Sequence, residues 1–227
     1  MLAGSALITA TSLGYFDFET LPPFVIEKLP VRFEALWLFS LRLHVAAALL
    51  SFPLCLLLLT RSLQRRPAWH RWLGRLTGFG VLFALVPSGV VLSFDAKGGA
   101  LVTAGFLLSA AITAASMTYG IAAARQRELT SHARMMRHVV AQMSVAVSSR
   151  LLLFAFDVAG MNPELAYVIA LWGPVLASFA VAELVSRRVE TVPNVTHIIQ
   201  RIYREVSPFV LRVRSRSDDL PVTRFGR

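Results

Sequence analysis

Two short segments of this chain repeat one pattern of chemistry. His70-Arg71-Trp72-Leu73-Gly74-Arg75 and His132-Ala133-Arg134-Met135-Met136-Arg137 each set a histidine five positions ahead of an arginine. Guanidinium groups grip phosphate or carboxylate through paired N–H bonds. Both segments fall where a long apolar run begins, so they are expected at helix N-termini, whose unsatisfied N–H groups favour an anion. His70, Arg71, Arg75, His132, Arg134 and Arg137 are therefore candidate contacts for an anionic headgroup such as that of cardiolipin or phosphatidylglycerol. The same arginines serve equally as plain topology signals, with Trp72 an interfacial anchor. The recurrence hints at a duplicated two-helix unit.

A second constellation lies deeper. His44 falls about nine residues, or ~13 Å, inside an apolar run, too deep for an imidazole to reach the interface. Arg150 has a comparable depth in a later run. Ionisable groups at such depth normally face the bundle interior and find a partner. Arg42, two residues from His44, points to nearly the opposite helix face and is placed to snorkel outward. The expected inward pair is therefore His44 with Arg150, with Asp157 as a counter-charge. Such a pair suits either a packing-fixing polar contact or a pocket for quinone or haem. A bis-histidine haem needs a second histidine at matching depth, and His70, His132, His138 and His197 do not supply one.

Other chemistry is sparse. There is no phosphate-cradling glycine loop, no His-Glu-x-x-His run and no serine nucleophile elbow. No catalytic residue is assigned, and an enzyme is not expected. Cys55 is the only cysteine, so neither an internal disulfide nor a cysteine-rich metal site is available. It reads as a small buried apolar residue.

The elements that hold these residues follow from hydropathy. Of 227 residues 56% are hydrophobic and 16% charged, and the apolar ones gather in runs long enough to span a bilayer. Spans are expected at about residues 35–60, 76–94, 100–124, 138–156 and 165–185. The fold class is all-α, an integral membrane bundle of about five transmembrane helices. Residues 1–32 form an N-terminal segment and connector, in which Met1–Phe16 is marginal for a short sixth span. Residues 33–185 form the bundle and 186–227 a basic tail. Pro53, Pro87 and Pro174 fall inside spans, and Pro87-Ser88-Gly89 is the best hinge candidate.

Charge sets the orientation. The net charge is +10, nearly all from arginine. The 61–75 and 125–137 connections carry Arg61, Arg65, Arg66, Arg71, Arg75, Arg125, Arg127, Arg134 and Arg137, whereas the alternate connections hold Asp95, Lys97, Asp157 and Glu164. Arginine-rich short loops stay in the cytoplasm, so the C-terminus is expected there too. This distribution points to a membrane rather than nucleic acid as partner. In the tail, Val195, Ile198, Ile199, Ile202, Tyr203 and Val206 recur at helical spacing with Arg201 and Arg204 opposite, as in an amphipathic helix for a membrane surface or, alternatively, a partner-protein groove.

With His44, the His70–Arg75 and His132–Arg137 segments and Arg150 in this order, residues 38–158 resemble the DUF2306 family of bacterial multispan membrane proteins. The resemblance implies a multi-pass protein and no established activity. The expected role is that of a non-enzymatic inner-membrane protein binding lipid or a protein partner, as an accessory subunit of a larger assembly. A redox module at His44 and Arg150 and a small transporter hinged near Pro87 are the alternatives.

Overall fold

An apolar segment in hydrocarbon must satisfy its peptide groups internally, which for a single run of chain means a helix. The computed structural model describes Phe16 and residues 23–191. A short helix α1 (Pro23–Lys28) precedes α2 (Glu34–Leu58) and the single turn α3 (Arg61–Gln64). Then come α4 (Pro67–Ser93), α5 (Gly99–Arg125), α6 (Leu129–Val158) and α7 (Pro163–Thr191). Helices α2, α4, α5, α6 and α7 are long and apolar enough to cross a membrane, and the described residues contain no strand. A first compact unit ends at Ser186, and Arg187–Arg227 form a second, of which residues 187–191 are described. The expected entry segment (Phe16 apart) and the surface helix of the tail lie outside the described residues.

The five spans agree with the hydropathy, but two begin earlier than expected. α4 starts at Pro67 rather than near Leu76, and α6 at Leu129 rather than near His138. Helix formation does not stop at the edge of the apolar run, because Pro67 suits a first helical position and no breaker follows it. Both histidine–arginine segments are therefore helical. At the opposite end, Asn162 caps α7 by accepting from the Glu164 and Leu165 N–H groups at 3.0 and 3.2 Å. Gly98, with φ of 92°, makes the turn into α5 that a side chain would resist.

Packing is organised around α5 and α6. One apolar cluster joins Ala47 and Cys55 of α2, Val81 and Leu85 of α4, Met117 of α5 and Val139 of α6. A second joins Val102 of α5, Val145 of α6, and Leu171 and Val175 of α7. At Gly120 a Cβ would displace the flexible end of Met136 and stand 3.1 Å from Met135 Cβ, so the small residue lets α5 and α6 approach closely here. Val25 of α1 packs on Trp37 and Leu41 of α2. The outside is as apolar as the inside: Leu50, Phe83 and Phe154 are 68%, 67% and 69% exposed. Only a hydrocarbon surrounding accommodates so much bare apolar surface on every span.

Within α4, Gly80–Leu85 is π-helical and Val86–Ser93 resumes the α-helix. The cause is Pro87, which lacks an N–H and whose ring crowds the carbonyl four residues back. Widening the preceding turn relieves that crowding. Pro53 and Pro174 sit inside helices that continue through them.

Candidate functional site

The two look-alike segments take different parts. In α4, Arg71 and Arg75 lie one helical turn apart, are exposed, and make no hydrogen bond or ion pair among the described residues. Trp69 and Trp72 flank them, 59% and 58% exposed, with ring centroids 6.4 Å apart and nearly perpendicular. In α6 the arginines are engaged. Arg134 Nη2 donates to Glu183 Oε1 at 2.6 Å, and Arg137 Nη1 donates to Ser186 Oγ at 3.1 Å. Similar sequence thus yields an outward pair and an inward pair.

The helix-end contribution expected for both segments is not made by their own backbone. The His70 N–H already bonds the Arg66 carbonyl at 3.0 Å, and the His132 N–H bonds the Glu128 carbonyl at 2.9 Å. Each segment lies one turn inside its helix, so any anion would be held by side chains. His132 Nδ1 lies 2.8 Å from the Gly120 carbonyl. A carbonyl only accepts, so Nδ1 carries the proton. His70 Nδ1 is buried with no hydrogen-bond partner among the described residues. The two imidazoles lie within electrostatic reach of each other, which joins both segments at one end of the bundle.

The expected His44–Arg150 contact is not made. His44 Nδ1 donates to the Leu85 carbonyl at 3.0 Å and shares that proton with Ser88 Oγ at 3.2 Å. Ser88 in turn donates to the Ala84 carbonyl. The π-helical turn of α4 brings these acceptors to His44, whose ring also packs where a Cβ on Gly89 would stand. His44 is thus a strut from α2 to α4, and the hinge candidate Pro87-Ser88-Gly89 is the place it braces. Arg150 is exposed, and its Nη1 donates to the Ala146 carbonyl of its own helix at 2.9 Å. It influences His44 only through its charge. Asp157 is exposed and forms no ion pair among the described residues, so it is not the counter-charge. Arg42 is half-buried on α2.

The structure instead assembles polar groups that hydropathy passed over. Gln142, 3% exposed, bridges three spans. Its Oε1 accepts from Ser109 Oγ of α5 at 2.9 Å, and its Nε2 donates to the Val175 carbonyl and Ser178 Oγ of α7 at 3.2 and 3.1 Å. Two turns closer to the arginine-rich end, Glu183 receives Arg134 and faces His138, whose Nε2 lies 3.4 Å from Oε2. His138 is 3% exposed and rests on the Phe179 ring at 4.9 Å between centroids. A cleft of about 290 Å³ opens beside this trio, walled by α5, α6 and α7. Glu183 carried the one available signal: an acid inside a span demands a cationic partner. Among the described residues no group of three or more metal-ligating side chains gathers.

A family model described as a predicted membrane protein, DUF2306, matches residues 41–186. That interval holds His44, both histidine–arginine segments, Gln142 and Glu183. No curated protein and no solved structure matches the chain.

Proposed function

We propose, for a chain that belongs to the DUF2306 family of predicted membrane proteins, that it is an inner-membrane protein binding anionic phospholipid at a cytoplasmic, arginine-rich end. Its role is binding rather than chemistry. The observation that carries this reading is the pair Arg71 and Arg75, exposed on one face of α4 and unengaged by the described residues, beside two exposed tryptophans. Tryptophan at that level belongs to the headgroup region, and guanidinium groups there meet phosphate directly. Arg61, Arg65 and Arg66, just before α4, and Arg125 and Arg127, at the α5–α6 connection, are exposed at the same end of the spans. Such short basic connections are retained on the cytoplasmic side.

Native mass spectrometry of the full chain, released from detergent with phosphatidylglycerol or phosphatidylcholine, tests this. Phosphatidylglycerol is expected to be retained preferentially. The double variant Arg71→Ala, Arg75→Ala should weaken that retention by about 2 kcal/mol, since each arginine at a charged surface contributes about 1 kcal/mol. Equal retention of the two lipids, or a double variant that binds as well as the parent, would refute the proposal.

A further inference from the structure

Arg150 carries a charge that no described residue offsets. It is exposed on the side of α6, and its hydrogen bonding among the described residues is from Nη1 to the Ala146 carbonyl at 2.9 Å. A guanidinium has five N–H donors, so that bond meets a fraction of its capacity and none of its charge. His44 lies within electrostatic reach, but an imidazole supplies no negative charge. Asp157, further out on the same helix, forms no ion pair among the described residues.

Depth makes this costly. The apolar stretch of α6 ends near Phe156, and at 1.5 Å per residue Arg150 stands about 9 Å inward of that level. Side chains on a helix lean toward its N-terminus, which for α6 is the arginine-rich end. The Arg150 stem is thereby led toward the middle of the membrane, and its bond to the Ala146 carbonyl follows that direction. Ala146 lies about 15 Å inward of Phe156, half of a hydrocarbon layer of about 30 Å. Ionisable groups at such depth are normally met by a partner.

The position narrows what the partner is. Phospholipid phosphates and fatty-acid carboxylates stay at the headgroup level, whereas this guanidinium turns away from it. A carboxylate near the midplane has to be carried by a backbone that satisfies its own peptide groups there, which is a transmembrane helix. A second copy of this chain offers none at that level. Among the described residues Glu183 is bonded to Arg134, and the other acids fall near helix ends or in connections. The face itself suits a neighbouring helix. Ala146, Arg150 and Phe154 follow one another at helical spacing along the exposed side of α6. The small Ala146 permits close approach beside the guanidinium.

We infer that this face of α6 docks a transmembrane helix of a different polypeptide, whose aspartate or glutamate pairs with Arg150 near the middle of the membrane. The inference does not rest on the lipid reading at Arg71 and Arg75, which concerns another helix and another level. Failure of either leaves the other standing.

The full chain in phosphatidylcholine vesicles, mixed with synthetic spans, tests it. The probes are three lysine-flanked leucine–alanine helices with a central glutamate, glutamine or leucine, so the direction of insertion is immaterial. Association is read by energy transfer from a donor on Ala159→Cys, in a Cys55→Ser background, to an acceptor on the peptide. The glutamate peptide is expected to bind about five- to thirtyfold more tightly than the leucine peptide, the range of interhelical polar contacts in model peptides. Glutamine should fall between. Arg150→Leu, which replaces a lipid-facing charge and so should fold, is expected to remove the difference. Ala146→Trp keeps the charge but occupies the contact face, and should weaken binding of the glutamate peptide by a similar factor. The double variant Arg71→Ala, Arg75→Ala should leave it unchanged. Equal association of the three peptides overturns the inference. So does a glutamate preference that survives in Arg150→Leu or in a folded Ala146→Trp protein. Loss of the preference when phosphatidylglycerol replaces part of the phosphatidylcholine would assign Arg150 to a lipid phosphate instead. Self-association of the chain that disappears in Arg150→Leu would assign it to a second copy, and either result overturns the inference.

Discussion

At the scale of single residues, depth in the membrane is a poor guide to partnership. His44 and Arg150 share a depth, yet one bonds the Leu85 carbonyl of α4 and the other a carbonyl of its own helix. A guanidinium stem is long enough to reach back along its own helix, whereas an imidazole must be met by a neighbour. Gln142 is the reverse case: an uncharged residue that makes three hydrogen bonds to the neighbouring spans. Its contacts span α5 and α7, and interhelical side-chain bonds in membranes average about 0.6 kcal/mol each. Gln142→Leu is accordingly expected to destabilise the bundle by about 1–2 kcal/mol. A thermal unfolding series in detergent should show the loss, and a midpoint equal to the parent's would mean that the bridge contributes nothing.

At the scale of elements, α4 is the irregular member. Its π-helical turn exists because Pro87 crowds the preceding carbonyls, and the widened turn presents the Leu85 oxygen to His44. Proline in a helix interior costs about 3 kcal/mol relative to alanine, and the π-helical turn is how α4 accommodates it. Pro87→Ala restores an N–H and removes the crowding, so the segment should tighten to an α-helix. Hydrogen exchange over residues 80–88 is then expected to slow, while that of α5 stays unchanged. Exchange as fast as in the parent would show that His44, rather than Pro87, holds the wide turn. The small residue at Gly120 plays the complementary part, allowing contact where α4 depends on a strut.

For the whole molecule, the charge asymmetry of the ends carries the orientation. A Cys55→Ser background with single cysteines at exposed connections reads it directly. Ala100→Cys and Ala159→Cys should react with an impermeant maleimide on intact cells, and Ser62→Cys and Gln126→Cys only after permeabilisation. The opposite pattern would place the arginine-rich end outside and remove the basis for a cytoplasmic lipid site. The end that carries Arg71 and Arg75 also carries the Arg134–Glu183–His138 cluster one to two turns further in.

Hydropathy and charge order along the chain were enough to determine a helical membrane bundle with five spans and the end at which arginine gathers. Both are properties of linear segments, set by the length of apolar runs and the residues between them. Which face of each span turns inward was not legible, and the reason is the solvent. In water an amphipathic stripe announces the buried side, but in lipid a span is apolar all round, so Leu50 and Val81 look alike in sequence while one is exposed and the other buried. The rotation of each helix about its axis comes from small residues, polar bridges and proline-widened turns meeting across the bundle. Only the tertiary structure could therefore separate the unengaged arginines of α4 from the engaged ones of α6. It alone could also bring Glu183 to Arg134 across the facing α6 and α7, 49 residues apart along the chain.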